Sequence, residues 1–165
     1  FTKTKDEFLD LQNEIATKLA GELKGGLDAV EAQQLAKKAT DNPEAQAEYQ
    51  AGRREWNIRS KQGFENAIKH FEKAIELDPD YADPYVGFAD TYGLMPTYNF
   101  ADTSEAMPKA KSYAEEAIKL NPNLAEAYTS LAWVMHQYEY NWKEAEANYR
   151  RAIELNPNYR FMELT

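Results

Sequence analysis

The eight-residue phrase AIELDPDY (Ala74–Tyr81) returns as AIKLNPNL (Ala117–Leu124) and again as AIELNPNY (Ala152–Tyr159). Copies of one phrase at intervals of a few tens of residues mark a repeating architecture, which restricts the fold more than any bulk property does. With the phrases aligned on Pro79, Pro122 and Pro157, Leu77, Leu120 and Leu155 stand two residues earlier, and Ile75, Ile118 and Ile153 stand four earlier. Alanines occupy the positions five back (Ala74, Ala117, Ala152) and twelve back (Ala67, Ala110, Ala145), and Phe71, Ala114 and Tyr149 stand eight back. These offsets share one face of a helix. The proline cannot continue that helix, and its Asp or Asn neighbours favour a turn. Each phrase therefore closes an amphipathic helix.

The residues after each proline repeat as well. Six on are Tyr85 and Tyr128, nine on Phe88 and Leu131, ten on Ala89 and Ala132, and thirteen on Tyr92 and Met135. An earlier proline, Pro43, carries Tyr49 and Trp56 at the offsets of six and thirteen. A second helix thus follows each proline, and the unit is a helix pair. Small residues let two helix backbones approach, and bulky ones fill the space beside them.

This pattern resembles the tetratricopeptide repeat family, whose unit of roughly 34 residues is a helix hairpin with aromatic and small residues at these offsets. The third unit follows it best (Tyr128, Leu131, Ala132, Met135, then Ala145, Tyr149, Ala152, Pro157), and the second follows with Tyr85, Phe88, Ala89, Tyr92, then Ala110, Ala114, Ala117, Pro122. The first has Tyr49, Gly52, Arg53, Trp56, then Ala67, Phe71, Ala74, Pro79; Arg53 breaks the small-residue rule, so a different packing is expected there. The resemblance implies an all-α fold, an α-α superhelix of tetratricopeptide hairpins with extra N-terminal helices. Repeats are expected over 46–81, 82–124 and 125–159, within an array spanning 43–165. The middle unit is longer, and Gly, Pro and Asn in Gly93–Asp102 predict an extended turn.

Residues 1–42 form a separate N-terminal helical segment by their pattern. Phe8, Leu11, Ile15, Leu19 and Leu23 share one face of a helix over 6–24, with Asp6 as N-cap and Gly25-Gly26 as the stop; a second helix is expected over 28–39. LQNEIATKLAGELK followed by DNPEAQAEYQAGRREWN resembles the junction before repeat arrays in bacterial multidomain signalling proteins of the winged-helix regulator, serine/threonine kinase or nucleotide cyclase types. On that resemblance the segment is the tail of an upstream region; on the residues alone it caps the first repeat. The start at Phe1 rather than Met reads as a fragment of a longer protein, bacterial and membrane-anchored, with this segment on either side of the membrane.

Composition excludes several functions. A net charge of −9 repels a phosphate backbone, so nucleic-acid binding through this segment is not expected. No apolar run approaches the roughly 18 residues of a membrane span. The absence of cysteine excludes disulfides and thiolate metal sites. His70 and His136 are the only histidines, and neither stands in a metal-spaced cluster. There is no phosphate loop and no recognisable nucleophile context. Neither catalytic residues nor a cofactor or metal is expected.

Binding is the better-supported function. Stacked hairpins make a curved surface lined by the first helix of each unit, and the resemblance carries ligand contacts onto Gln50, Arg54, Asn57, Val86, Asp90, Glu126, Thr129, Trp133 and His136. Arg54 is the one arginine among these and there is no lysine, which disfavours a clamp for a C-terminal carboxylate. Trp133 is either an exposed hot spot or a packing residue against a neighbouring helix. A second patch is expected where Tyr98 and Phe100 in the long turn meet Tyr138, Tyr140 and Trp142 in the next; these rings either form a docking site or pin the loop. The expected function is a non-catalytic scaffold with a protein or peptide partner, taken from a bacterial signalling or regulatory protein. The alternatives are an oligomerisation module that joins effector domains, with a homo-oligomer as its product, and a small-ligand sensor. After Pro157 only NYRFMELT remains, too short for a full polar capping helix; the array is expected to continue in the parent or to meet another molecule.

Overall fold

The computed structural model describes residues 39–157. The chain divides into two compact units, Phe1–Pro43 and Glu44–Thr165. The helix expected over 6–24, and all but the last residue of the one expected over 28–39, lie outside the described residues. Among the described residues six α-helices stand in order: α1 (Pro43–Asn57), α2 (Lys61–Leu77), α3 (Ala82–Leu94), α4 (Thr103–Leu120), α5 (Ala125–Gln137) and α6 (Trp142–Leu155). They pair as three hairpins, α1–α2, α3–α4 and α5–α6, with no strand among the described residues. The fold is an α-α superhelix of TPR type. Among the described residues no helix is long and apolar enough to cross a membrane.

The repeated phrase is a device for turning the chain. Asp78, Asn121 and Asn156 each precede a proline and adopt nearly the same extended backbone, with φ/ψ of −149°/93°, −138°/92° and −142°/90°. A following proline ring forbids them the helical region. Each still donates its N–H to the alanine carbonyl four residues back (Ala74, Ala117, Ala152), which closes the helix. The Asp78 carboxylate then accepts the N–H of Asp80 at 3.2 Å, and the Asn121 amide oxygen accepts that of Asn123 at 3.1 Å. The tyrosines six residues past the proline complete the corner: the hydroxyls of Tyr85 and Tyr128 donate to the carbonyls of Pro79 and Pro122 at 3.4 and 3.1 Å. Within the hairpins, Ser60 caps α2 by accepting the N–H of Gly63 at 3.0 Å, and Asn141 caps α6 by accepting that of Glu144 at 3.4 Å.

The alanines of the pattern are the buried positions. Ala67, Ala74, Ala110, Ala114, Ala117 and Ala132 are fully enclosed, and Ala89 and Ala152 nearly so. The bulky member of each pair fills the gap left beside them. Phe71 of α2 packs with Phe88 of α3 at 5.8 Å between ring centroids, and Phe88 stacks on Tyr113 of α4 at 4.5 Å. The Phe71 ring is held between two helices that approach through glycine. A Cβ on Gly52 of α1 would stand 2.4 Å from it, and one on Gly87 of α3 would stand 2.6 Å away. The backbones come this close because neither residue carries a side chain.

The long turn of the middle unit folds back on the first hairpin. Residues Met95–Tyr98 form a short 3-10 helix, ended by Asn99 in the left-handed region at φ 56°. Tyr98 and Phe100 then bring their rings to 5.8 and 5.9 Å from that of Phe64, a fully buried residue of α2.

Candidate functional site

The first helices of successive hairpins face one another, and polar bonds join them in sequence. Arg53 of α1 places Nη1 2.8 Å from Oδ2 of Asp90 on α3. The hydroxyl of Ser130 on α5 donates to the other oxygen of Asp90 at 2.7 Å. One carboxylate therefore ties three helices. Arg53 occupies the offset that Ala89 and Ala132 hold in the later units. Its departure from the small-residue rule is what allows a guanidinium to span from α1 to α3. The same guanidinium lies 4.3 Å over the Trp56 ring, and Arg59 lies 3.4 Å from it.

Beside this bridge the wall is acidic. Asp83 stands four residues past Pro79, and Glu126 four past Pro122, so adjacent hairpins present carboxylates at equivalent points. Burial pushes the Asp83 carboxyl up to about 6, the charge on Glu126 adds to the rise, and Arg53 opposes it. Tyr49 shares the neighbourhood: burial pushes its phenol far up, with Asp83, Asp90 and Glu126 contributing and Arg53 countering. The Tyr49 ring meets those of Phe71 and Tyr81 at 5.9 and 5.5 Å.

The residues expected in the groove separate into distinct environments. Gln50, Arg54 and Asn57 are exposed along α1, and Asp90, Glu126, Trp133 and His136 are half-buried. Two of the expected residues are buried. Val86 is enclosed against Ala117 and Ala127, because its side of α3 faces the next hairpin. Thr129 is buried as well and turns its hydroxyl onto the carbonyl of Ala125 at 3.2 Å. Trp133 packs over Gly93 of α3, where an added Cβ would lie 3.5 Å from its Cδ1. Its indole nitrogen is enclosed without a hydrogen-bond partner.

The aromatic residues of the second patch do not form one cluster. Tyr98 and Phe100 stack on each other at 5.7 Å and anchor the long turn to Phe64. Tyr138 packs against Met107, Ala110 and Val134. Tyr140 and Trp142 are 69% and 60% exposed, and Trp142 meets the edge of His136 at 4.7 Å. Among the described residues no ring contact joins the two turns. Asp83, Arg53 and Ser130 were absent from the sequence-derived set. The equivalence of Asp83 with Glu126 was a usable signal; the reach of Arg53 to Asp90 required three dimensions.

Comparison with known proteins agrees with this fold. A family model described as TPR repeat matches residues 58–95. Two curated relatives, each named Protein O-mannosyl-transferase TMTC3, are 26% identical over 115 residues in Mus musculus and 27% over 118 in Homo sapiens. Each match takes in 64% of this chain but 12% and 13% of the relative, so the chain spans about an eighth of the length of these proteins. Among solved structures, the first TPR of Spaghetti (RPAP3), bound to the HSP90 peptide SRMEEVD, superposes with a TM-score of 0.60 at 21% identity, over 72% of this chain and 86% of that one. A crystal structure of MamA gives 0.53 at 21% identity, over 95% and 96%. The comparisons support the TPR repeat family for the hairpin array.

Proposed function

We propose that the array is a non-catalytic scaffold whose α1–α3–α5 wall takes a protein or peptide segment, and that the segment it selects is cationic. The observation that carries this is the position of Asp83. Its ionisation is opposed by burial and by Glu126 on the next hairpin. A ligand lysine or arginine placed between the two carboxylates relieves that opposition, whereas a ligand carboxylate increases it. The nearby guanidinium of Arg53 is already engaged by Asp90, which leaves this wall poorly suited to an acidic tail such as the peptide in the Spaghetti (RPAP3) complex. We further propose that the array serves a longer bacterial signalling or regulatory protein, supported by the resemblance of residues 5–60; the reading frame upstream of Phe1 is the test.

Fluorescence anisotropy of the whole chain with a labelled lysine- and arginine-rich peptide, set against labelled SRMEEVD, tests the groove. The basic peptide binds more tightly, and its affinity falls as salt rises. Replacing Asp83 by Asn together with Glu126 by Gln weakens it by about tenfold. Preference for the acidic peptide, or indifference to both substitutions, overturns the proposal.

A further inference from the structure

Nine residues before each closing proline stand His70, Tyr113 and Asn148. Two of the three hairpins are polar at this offset, so the fold does not require an aromatic there. His70 pairs with Glu48 at 2.7 Å, and the Asn148 amide donates to the Glu144 carbonyl at 2.8 Å. Tyr113 instead joins a row of rings on the middle hairpin. It lies on Phe88 at 4.5 Å, runs parallel to Tyr92 of α3 within 1° at 5.8 Å, and meets Tyr85 of α3 at 6.4 Å. Tyr85, Tyr92 and Tyr113 are all half-buried, so each keeps part of its ring at the surface. Ile68 and Ile75 of α2 pack against the same core cluster as Tyr92 and Tyr113. The exposure of this row is therefore that of an internal hairpin with a hairpin on either side.

The charges round the row indicate what it takes. On α2, Glu65, Glu72 and Glu76 fall within about 40° of one another, with Ile68 adjoining Glu72 and Lys69 at the outer edge. Burial raises the Tyr113 phenol, and the charge on Glu72 raises it further. Burial raises the Tyr85 phenol as well, with Glu116 and Asp80 adding to the rise. Carboxylates thus face the rings from α2, from α4 and from the turn between α2 and α3. The exposed Lys109 lies 5.4 Å over the Tyr92 ring, so a surface cation already reaches that face. Trp56 holds the offset of Tyr92 in the first hairpin. There the chain supplies its own guanidinium groups, Arg53 at 4.3 Å and Arg59 at 3.4 Å over the ring. In the middle hairpin Ala89 stands at the offset of Arg53, and the described cation over the ring is the more distant ammonium of Lys109. A planar guanidinium can stack on an aromatic face and bond a carboxylate at once, which an ammonium does less well.

We propose that the Tyr85–Tyr113–Tyr92 row, bordered by Glu72, is a second docking site, which takes an arginine side chain of a partner protein stacked on the rings and paired with Glu72. It shares no residue with the Asp83–Glu126 wall and does not depend on the ligand of that wall.

Fluorescence anisotropy with labelled hexa-arginine tests the proposal at low salt, in the whole chain carrying Asp83→Asn and Glu126→Gln so that the groove does not contribute. The expected result is saturable binding that persists in this background. Tyr113→Leu preserves the net charge and an apolar side chain but removes the ring, and it weakens binding by about two- to fivefold. Tyr113→Phe retains it. Glu72→Gln weakens it, and labelled hexa-lysine binds less tightly than hexa-arginine. Far-UV circular dichroism checks that each variant keeps its helices; should Tyr113→Leu lose them, Glu72→Gln, at an exposed site, decides. Absence of binding in this background overturns the proposal. So does equal affinity of folded Tyr113→Leu and Tyr113→Phe, indifference to Glu72→Gln, or hexa-lysine binding as tightly as hexa-arginine.

Discussion

Arg53 and Asp90 join two hairpins by a 2.8 Å ion pair, with the side chains 30% and 25% exposed. The other oxygen of that carboxylate accepts from Ser130, so Asp90→Ala removes the acceptor of two bonds at once. It is expected to cost about 1–2 kcal/mol. In a double-mutant cycle with Arg53→Ala, urea denaturation should return a coupling of about 0.5–1 kcal/mol.

Glycine-to-alanine changes should have opposite signs at two positions of α3. Alanine in a helix normally gains about 0.5–1 kcal/mol over glycine. At Gly93 the new Cβ meets Trp133 at ordinary contact, 3.5 Å, so Gly93→Ala is expected to raise the thermal midpoint. At Gly87 it would stand 2.6 Å from the Phe71 ring. That ring is fully enclosed and has nowhere to move, so Gly87→Ala should lower stability by about 1–3 kcal/mol. Paired thermal melts check both.

Asp83 makes the fold sensitive to mild acid in the direction opposite to most carboxylates. Its pKa rises from 3.8 to about 6 on folding, so the folded state favours the protonated form. The associated stability is fully present below pH 3.8 and is lost as pH rises through about 6. Asp83→Asn, which cannot ionise, should therefore be more stable than the parent at pH 7 by about 1 kcal/mol. The difference should shrink towards pH 4, as chemical denaturation across that range will show.

Much of the architecture was legible locally. The pre-proline geometry of Asp78, Asn121 and Asn156, the side-chain turns after the first two, and the tyrosine that closes the corner all act within a few residues of the proline. Their recurrence therefore exposed the hairpins and the register of the alanines without reference to the rest of the chain. What the neighbours do is not written in such a phrase. Val86 and Thr129 hold groove offsets yet turn inward. Trp133 settles over Gly93, and Arg53 spans to a carboxylate thirty-seven residues away. Trp142 shares its offset with Phe64 and Met107 but stands in solvent. By itself the sequence determined where each helix stops and which residues face the same way, because those are matters of backbone sterics and helical period. Only the tertiary structure decided which of those faces meet another helix, because burial depends on partners that lie a whole hairpin apart.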